Sequence, residues 1–131
     1  MKKLLIWIMI AMMGVTFPGC GGQASAKSTC EIVVVPSVWS DDLDRQIEDH
    51  VKDRPELNVY QNMAEEADAL YQSLLVEDLV AQEVDAICLE PVDPEILRPA
   101  VEQAEKAGVR VITGSDFCAM IDRAAELLQA E

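Results

Sequence analysis

The chain has 131 residues, half of them hydrophobic, with 24 acidic against 10 basic side chains and a formal charge of −14. That length supports one domain with a modest core and is too short for two. So acidic a surface repels phosphate backbones and no basic run offsets it, which excludes nucleic acid as a partner.

The apolar fraction is inflated by the amino terminus. Met1-Lys2-Lys3 is a positive n-region, 4–15 an apolar h-region and Phe17-Pro18-Gly19-Cys20 a small-residue cleavage site, so residues 1–19 read as a secretory signal. The apolar run is too short to span a bilayer. The tetrad ending in Cys20 resembles a bacterial lipobox, cut before a cysteine whose sulfur carries diacylglycerol. That resemblance implies lipidation of Cys20 and a membrane anchor. Residues 20–29 are then the lipidated cysteine and a tether, since 21–28 (GGQASAKS) has a flexible-linker composition and no apolar period. The domain proper is 30–131, and losing Lys2 and Lys3 with the leader takes the charge from −14 to −16.

With Cys20 assigned to lipid, Cys30, Cys88 and Cys118 remain. Cys88 sits in an apolar run and reads as a small hydrophobe. Cys30 precedes the first strand and Cys118 follows the fourth, at opposite ends of a parallel sheet, so no pairing between them is predicted. No CxxC or Cys/His cluster has metal-ligand spacing, and no metal site is expected.

Along the domain, 31–36 (EIVVVP) is a β-branched first strand. After the loop Ser37-Val38-Trp39-Ser40, Ser40 or Asp41 caps a helix with Leu43, Ile47 and Val51 as its apolar stripe, ended by Arg54-Pro55. Asp41, Asp42 and Asp44 suit the positive end of that helix. His50 lies beside the stripe with no second ligand type at helical spacing and reads as a solvated helix histidine. Residues 57–61 (LNVYQ) alternate as an edge strand. From residue 65 a helix places Ala67, Leu70, Tyr71, Leu74, Leu75 and Leu79 on the predicted dry face, with Glu77, Asp78 and Gln82 on the wet one. Residues 84–89 form a short apolar run stopped by Glu90-Pro91, as for a strand covered on both sides. Asp93-Pro94 starts the next helix and Gly108 closes it. Pro99 should bend that helix at a cost of up to ~3 kcal/mol, but Ile96, Leu97, Ala100, Val101, Ala104 and Ala107 keep the period across it. A buried strand at 109–113, a Gly114-Ser115 turn with Ser115 as cap, and a helix over 116–129 with Phe117, Ile121, Ala124 and Leu128 on one face complete the chain.

Four strands alternating with four helices predict an α/β, doubly wound parallel sheet of flavodoxin-like kind, in order 2-1-3-4. Ligands of such sheets lie outside the carboxyl ends of the strands, where the winding reverses between the first and third. The loops that matter are therefore 36–41, 61–65, 90–93 and 113–117. There is no Gly-x-Ser-x-Gly elbow and no glycine-rich phosphate loop after the first strand, and His50 is misplaced for a hydrolase, on a helix before the second strand. Neither an enzyme nor a cofactor is expected.

The stretch 65–113, with VEDLVAQEVDAI, LEPVDPE and AVEQAEKAGVRVIT, resembles the amino-terminal lobe of the type I periplasmic sugar-binding proteins, the ribose-binding-like receptors of ABC importers. The resemblance covers roughly 31–113. It implies an exported protein, in the periplasm or on the outer face of the cell membrane, that binds a small-molecule sugar and hands it to an ABC permease. Family members close two lobes around a sugar, with carboxylates and amides on the hydroxyls and aromatics on the ring face. Carried over, the resemblance puts Trp39 in the loop of the stacking aromatics, with Ser37 and Asp41 in the same loop. Glu90 falls in the turn after the third strand, and Ser115 and Asp116 follow Val-Ile-Thr, one position off the family's chelating aspartate. The chain stops about where the first lobe hands over to the second, which reads as an isolated or truncated lobe offering half a pocket. Two alternatives share the fold: a receiver-like domain with Glu90 in the phosphoacceptor's place, and an interaction domain with no ligand of its own. Export and the absence of a lysine after the fourth strand argue against the receiver.

Overall fold

A computed structural model describes residues 29–63 and 68–130. The expected secretory leader (1–19), Cys20, the expected tether (21–28) and Ala67 lie outside the described residues. The elements are β1 (Cys30–Val35), α1 (Asp41–Val51), β2 (Leu57–Gln61), α2 (Ala69–Ala81), β3 (Ala86–Leu89), α3 (Pro94–Lys106), β4 (Arg110–Thr113) and α4 (Phe117–Gln129). The strands form one parallel sheet in the order β2-β1-β3-β4, as expected.

The continuous apolar runs of β1 and β3 are explained by helices on both faces. Val33, Val35, Ile87 and Leu89 point to one layer, where Val76 and Leu79 of α2 and Leu97, Ala100 and Ala104 of α3 meet them. Ile32, Val34, Ala86 and Cys88 point to the other, against Leu43 and Ile47 of α1 and Met120, Ile121 and Ala124 of α4. Every one of these β1 and β3 side chains is fully buried, each such aliphatic contributing about 1.5–3 kcal/mol by leaving water. Cys88 is part of this core, and burial pushes its thiol up to about 12. Cys30, Cys88 and Cys118 are all free.

Helix ends follow side-chain chemistry. Ser40 caps α1 by accepting from Leu43 N–H, Asp68 caps α2, and Asp93 caps α3 with Pro94 at its first position. Asp116, not Ser115, caps α4 by accepting from Ala119 N–H at 3.2 Å, because the carboxylate rather than the hydroxyl stands at the helix mouth. Gly108 follows α3 with φ +93°, a left-handed conformation in which glycine meets no Cβ penalty. Glu83 makes the same left-handed turn after α2 at φ 61° without glycine's freedom.

Three further expectations need correction. The strand expected to be buried at 109–113 is exposed or half-buried over Arg110–Thr113, since among the described residues only β3 flanks it. In α2 the buried residues are Ala69, Gln72, Val76 and Leu79, whereas Leu70, Tyr71 and Leu74 of the predicted dry face are exposed. The helix carries apolar residues all round, so periodicity alone does not single out the side that meets the sheet. His50 is not simply solvated. Its Nε2 lies 2.9 Å from Asp122 Oδ1 on α4, and Arg54 Nη1 donates to the same oxygen at 2.8 Å. This cluster ties the end of α1 to α4. Burial alone would raise the Asp122 carboxyl, but the bonds from His50 and Arg54 outweigh it and hold the group below its ordinary value. A depressed folded value means that the contribution is complete above the unfolded value and is lost as pH falls through the folded one. The acid limb of unfolding below about pH 4 should therefore flatten in Asp122→Asn, read as the difference in urea midpoints between wild type and variant across that range.

Candidate functional site

The carboxyl ends of the four strands lead into residues 36–40, 62–63, 90–93 and 114–116, all on one edge of the sheet. At the reversal between β1 and β3 the structure joins two of the expected residues directly. Ser37 N–H donates to Glu90 Oε1 at 3.0 Å, and the Ser37 hydroxyl donates to the same oxygen. Glu90 is thus fixed by the neighbouring loop through one carboxylate oxygen.

Two buried glutamines, which pattern reading does not single out, hold this edge. Gln72, 2% exposed, donates from Nε2 to the Glu90 carbonyl and accepts from Val92 N–H through Oε1, both at 2.8 Å. It locks the 90–93 segment onto α2. Gln61, at the end of β2, donates to the Ser40 carbonyl at 3.1 Å and to Asp44 Oδ1 at 2.7 Å, fixing the mouth of α1. The signal for Gln72 was available as an amide amid LYQSLL, but the helix offered no unique dry side to make its burial visible.

Trp39 is half-exposed, its Nε1 donating to Asp41 Oδ1 at 3.2 Å. The ring is held by its polar end and its faces are not buried in the core. Ser115 and Asp116 are exposed at the end of β4, two strands from β1. No hydrogen bond among the described residues connects them to the Ser37–Glu90 pair. A cavity of about 460 Å³ opens beside Ser115, lined by Leu89, Pro94, Leu97, Val101 and Thr113 among others, and neither Ser37, Trp39 nor Glu90 borders it. The six expected residues therefore fall into a joined group (Ser37, Glu90), a neighbouring pair (Trp39, Asp41) and a separate pair (Ser115, Asp116). Among the described residues no three His, Cys, Asp or Glu side chains converge as a metal site, and no helix is long and apolar enough to cross a membrane.

The periplasmic binding protein domain family model matches residues 32–126. The chain is 42% identical over 59 residues to the ribose import binding protein RbsB of Bacillus subtilis strain 168, a match over 45% of this chain and 17% of that protein. Among solved structures, a solute-binding protein of an ABC transporter from Burkholderia graminis C4D1M, in complex with D-arabinose, superposes with a TM-score of 0.60 at 21% identity, over 70% of this chain and 33% of that one. One from Actinobacillus succinogenes 130z, with bound D-allose, gives 0.57 at 25% identity, over 77% and 36%. The chain thus spans about a third of the length of these solved relatives. With a family model matched along most of its length and a lobe fold shared with these receptors, the chain belongs to the periplasmic binding protein domain family.

Proposed function

We propose that the chain is a lipid-anchored, sugar-binding lobe of an ABC importer's solute receptor, held outside the membrane by Cys20 and serving a permease. What supports the reading is the Ser37–Glu90 junction at the winding reversal, in which Ser37 occupies one carboxylate oxygen, with the half-exposed Trp39 two residues along the same loop. In this reading Glu90 Oε2 accepts a sugar hydroxyl, the Trp39 ring stacks on the C–H face, and Ser37 keeps the carboxylate in place. Asp41 orients the ring, and Ser115 with Asp116 contacts the ligand's far end. Relatives with bound D-arabinose and D-allose support a monosaccharide. One wall buries less of a ligand than two, so affinity should lie near the millimolar range.

Isothermal titration with D-ribose, D-arabinose and D-allose tests the site. At least one sugar should give a saturable heat that Glu90→Ala and Trp39→Ala abolish; no heat with any of them, or heat that both variants retain, refutes it. The anchor is tested separately, since Cys20→Ala should move the protein from the membrane to the soluble fraction of an expressing cell. Unchanged partition would remove lipidation from the reading.

A further inference from the structure

The loop after β1 is fastened to both neighbouring strands. Pro36, which is buried and has no N–H, follows the last residue of β1, and residues 37–40 then run to the mouth of α1. Ser37 is tied to Glu90, just past β3. Ser40 is tied to Gln61, the last residue of β2. Gln61 shares a side of its strand with Leu57 and Val59, which pack in the layer of α1, and it is only 7% exposed. Its carboxamide meets the Ser40 backbone as another peptide group would. Oε1 accepts from Ser40 N–H at 3.4 Å, and Nε2 donates to the Ser40 carbonyl at 3.1 Å. The other proton of Nε2 goes to Asp44 Oδ1 at 2.7 Å, in the first turn of α1. Between the two fastenings stand Val38 and Trp39, both exposed and neither part of the two core layers.

We propose that Gln61 is a positioning residue for Trp39: by clamping Ser40 it fixes the strap that carries the indole before a ligand arrives, and so sets how tightly a sugar ring is held. The role rests on the sugar-binding reading above. The indole is held at Nε1 by Asp41 Oδ1, but Asp41 is the first residue of α1, so the clamp on that mouth places the ring's own partner as well. Two residues between two fixed points have little freedom left to lose on binding. With one point released, ordering the strap and the ring is charged to the binding step. Ser37 cannot take over, because it holds the opposite end of the strap. Asp122 grips His50 and Arg54 at the far end of α1 and touches no strap residue.

Gln61→Met keeps the length of the side chain and removes all three bonds. In the full chain in a non-ionic detergent, with Trp7→Phe so that Trp39 is the one tryptophan, time-resolved fluorescence anisotropy reads the ring. The amplitude of its fast local motion should rise about twofold in Gln61→Met. Affinity for whichever of D-ribose, D-arabinose and D-allose wild type binds should fall roughly fivefold. Asp122→Asn, which loosens the other end of α1, should change neither readout, and this separates positioning from a general loss of stability. Should Gln61→Met not fold, Gln61→Glu, which keeps only the bond from Ser40 N–H, decides by the same two readouts. In wild type itself, an indole that moves as freely as tryptophan in a short peptide overturns the proposal. So does a folded variant whose ring stays still, or one whose looser ring leaves the affinity unchanged. Absence of heat with every sugar refutes the sugar site itself and this role with it, whatever the ring does.

Discussion

Replacing Gln72 by glutamate should remove about 3 kcal/mol of stability at neutral pH, although the two side chains have the same shape. The amide is almost wholly buried and uses both its ends, donating to the Glu90 carbonyl and accepting from Val92 N–H. A carboxylate keeps the second bond and loses the first, setting an ionised oxygen against the carbonyl in a low-dielectric layer. Burial should raise the folded value of the introduced carboxyl. The protonated form donates to the carbonyl, so stability should be largely present below the unfolded value near 4 and lost as pH rises through the folded one. Urea unfolding of wild type and Gln72→Glu at pH 4 and pH 7 measures both. Equal losses at the two values would show that shape rather than charge at position 72 governs the effect. Because Gln72 holds the backbone of Glu90, the same variant should weaken the proposed sugar binding at pH 7 beyond what its residual folded fraction explains.

Ile87→Ala should cost about 4 kcal/mol, the largest single effect among the aliphatic positions of the sheet. Ile87 is fully buried on the central strand, in register with Val33 of β1 and Val111 of β4, and lies in the layer beneath α2 and α3. Removing its branched end leaves a void that three strands and two helices would have to move together to close. A domain of this size has roughly 5–15 kcal/mol in total, so the variant should be folded but near its limit. A shift in the urea midpoint with an unchanged slope checks this. A loss below about 1 kcal/mol would mean that the layer collapses onto the space, and that the sheet is more pliant than its burial suggests.

Much of the architecture was legible from single stretches. IVVV and AICL have no polar side and can rest only between two layers, while Asp93-Pro94 and Gly108 mark helix ends for reasons of backbone geometry. The candidate site was legible to the level of loops, because strand ends in a doubly wound sheet share one edge. It was not legible residue by residue. Nothing local showed that Ser37 reaches Glu90, that Ser115 and Asp116 stand apart from them, or that Gln72 and Gln61 fix the loops, since each of these bonds joins residues at least 17 positions apart. His50 likewise shows no role in its own helix, because its partner Asp122 is 72 residues away.

By itself, then, the sequence determined the alternation of strands and capped helices, and through the chain's handedness and short connections the parallel order 2-1-3-4. These follow from periodicity and φ preferences that act within a few residues. Only the tertiary structure decided which side of α2 turns inward, which oxygen of Glu90 is occupied by Ser37, and that Ser115 and Asp116 stand apart from that pair. Those outcomes depend on the directions from which separate elements approach one another, and side-chain period along one element carries no record of that direction.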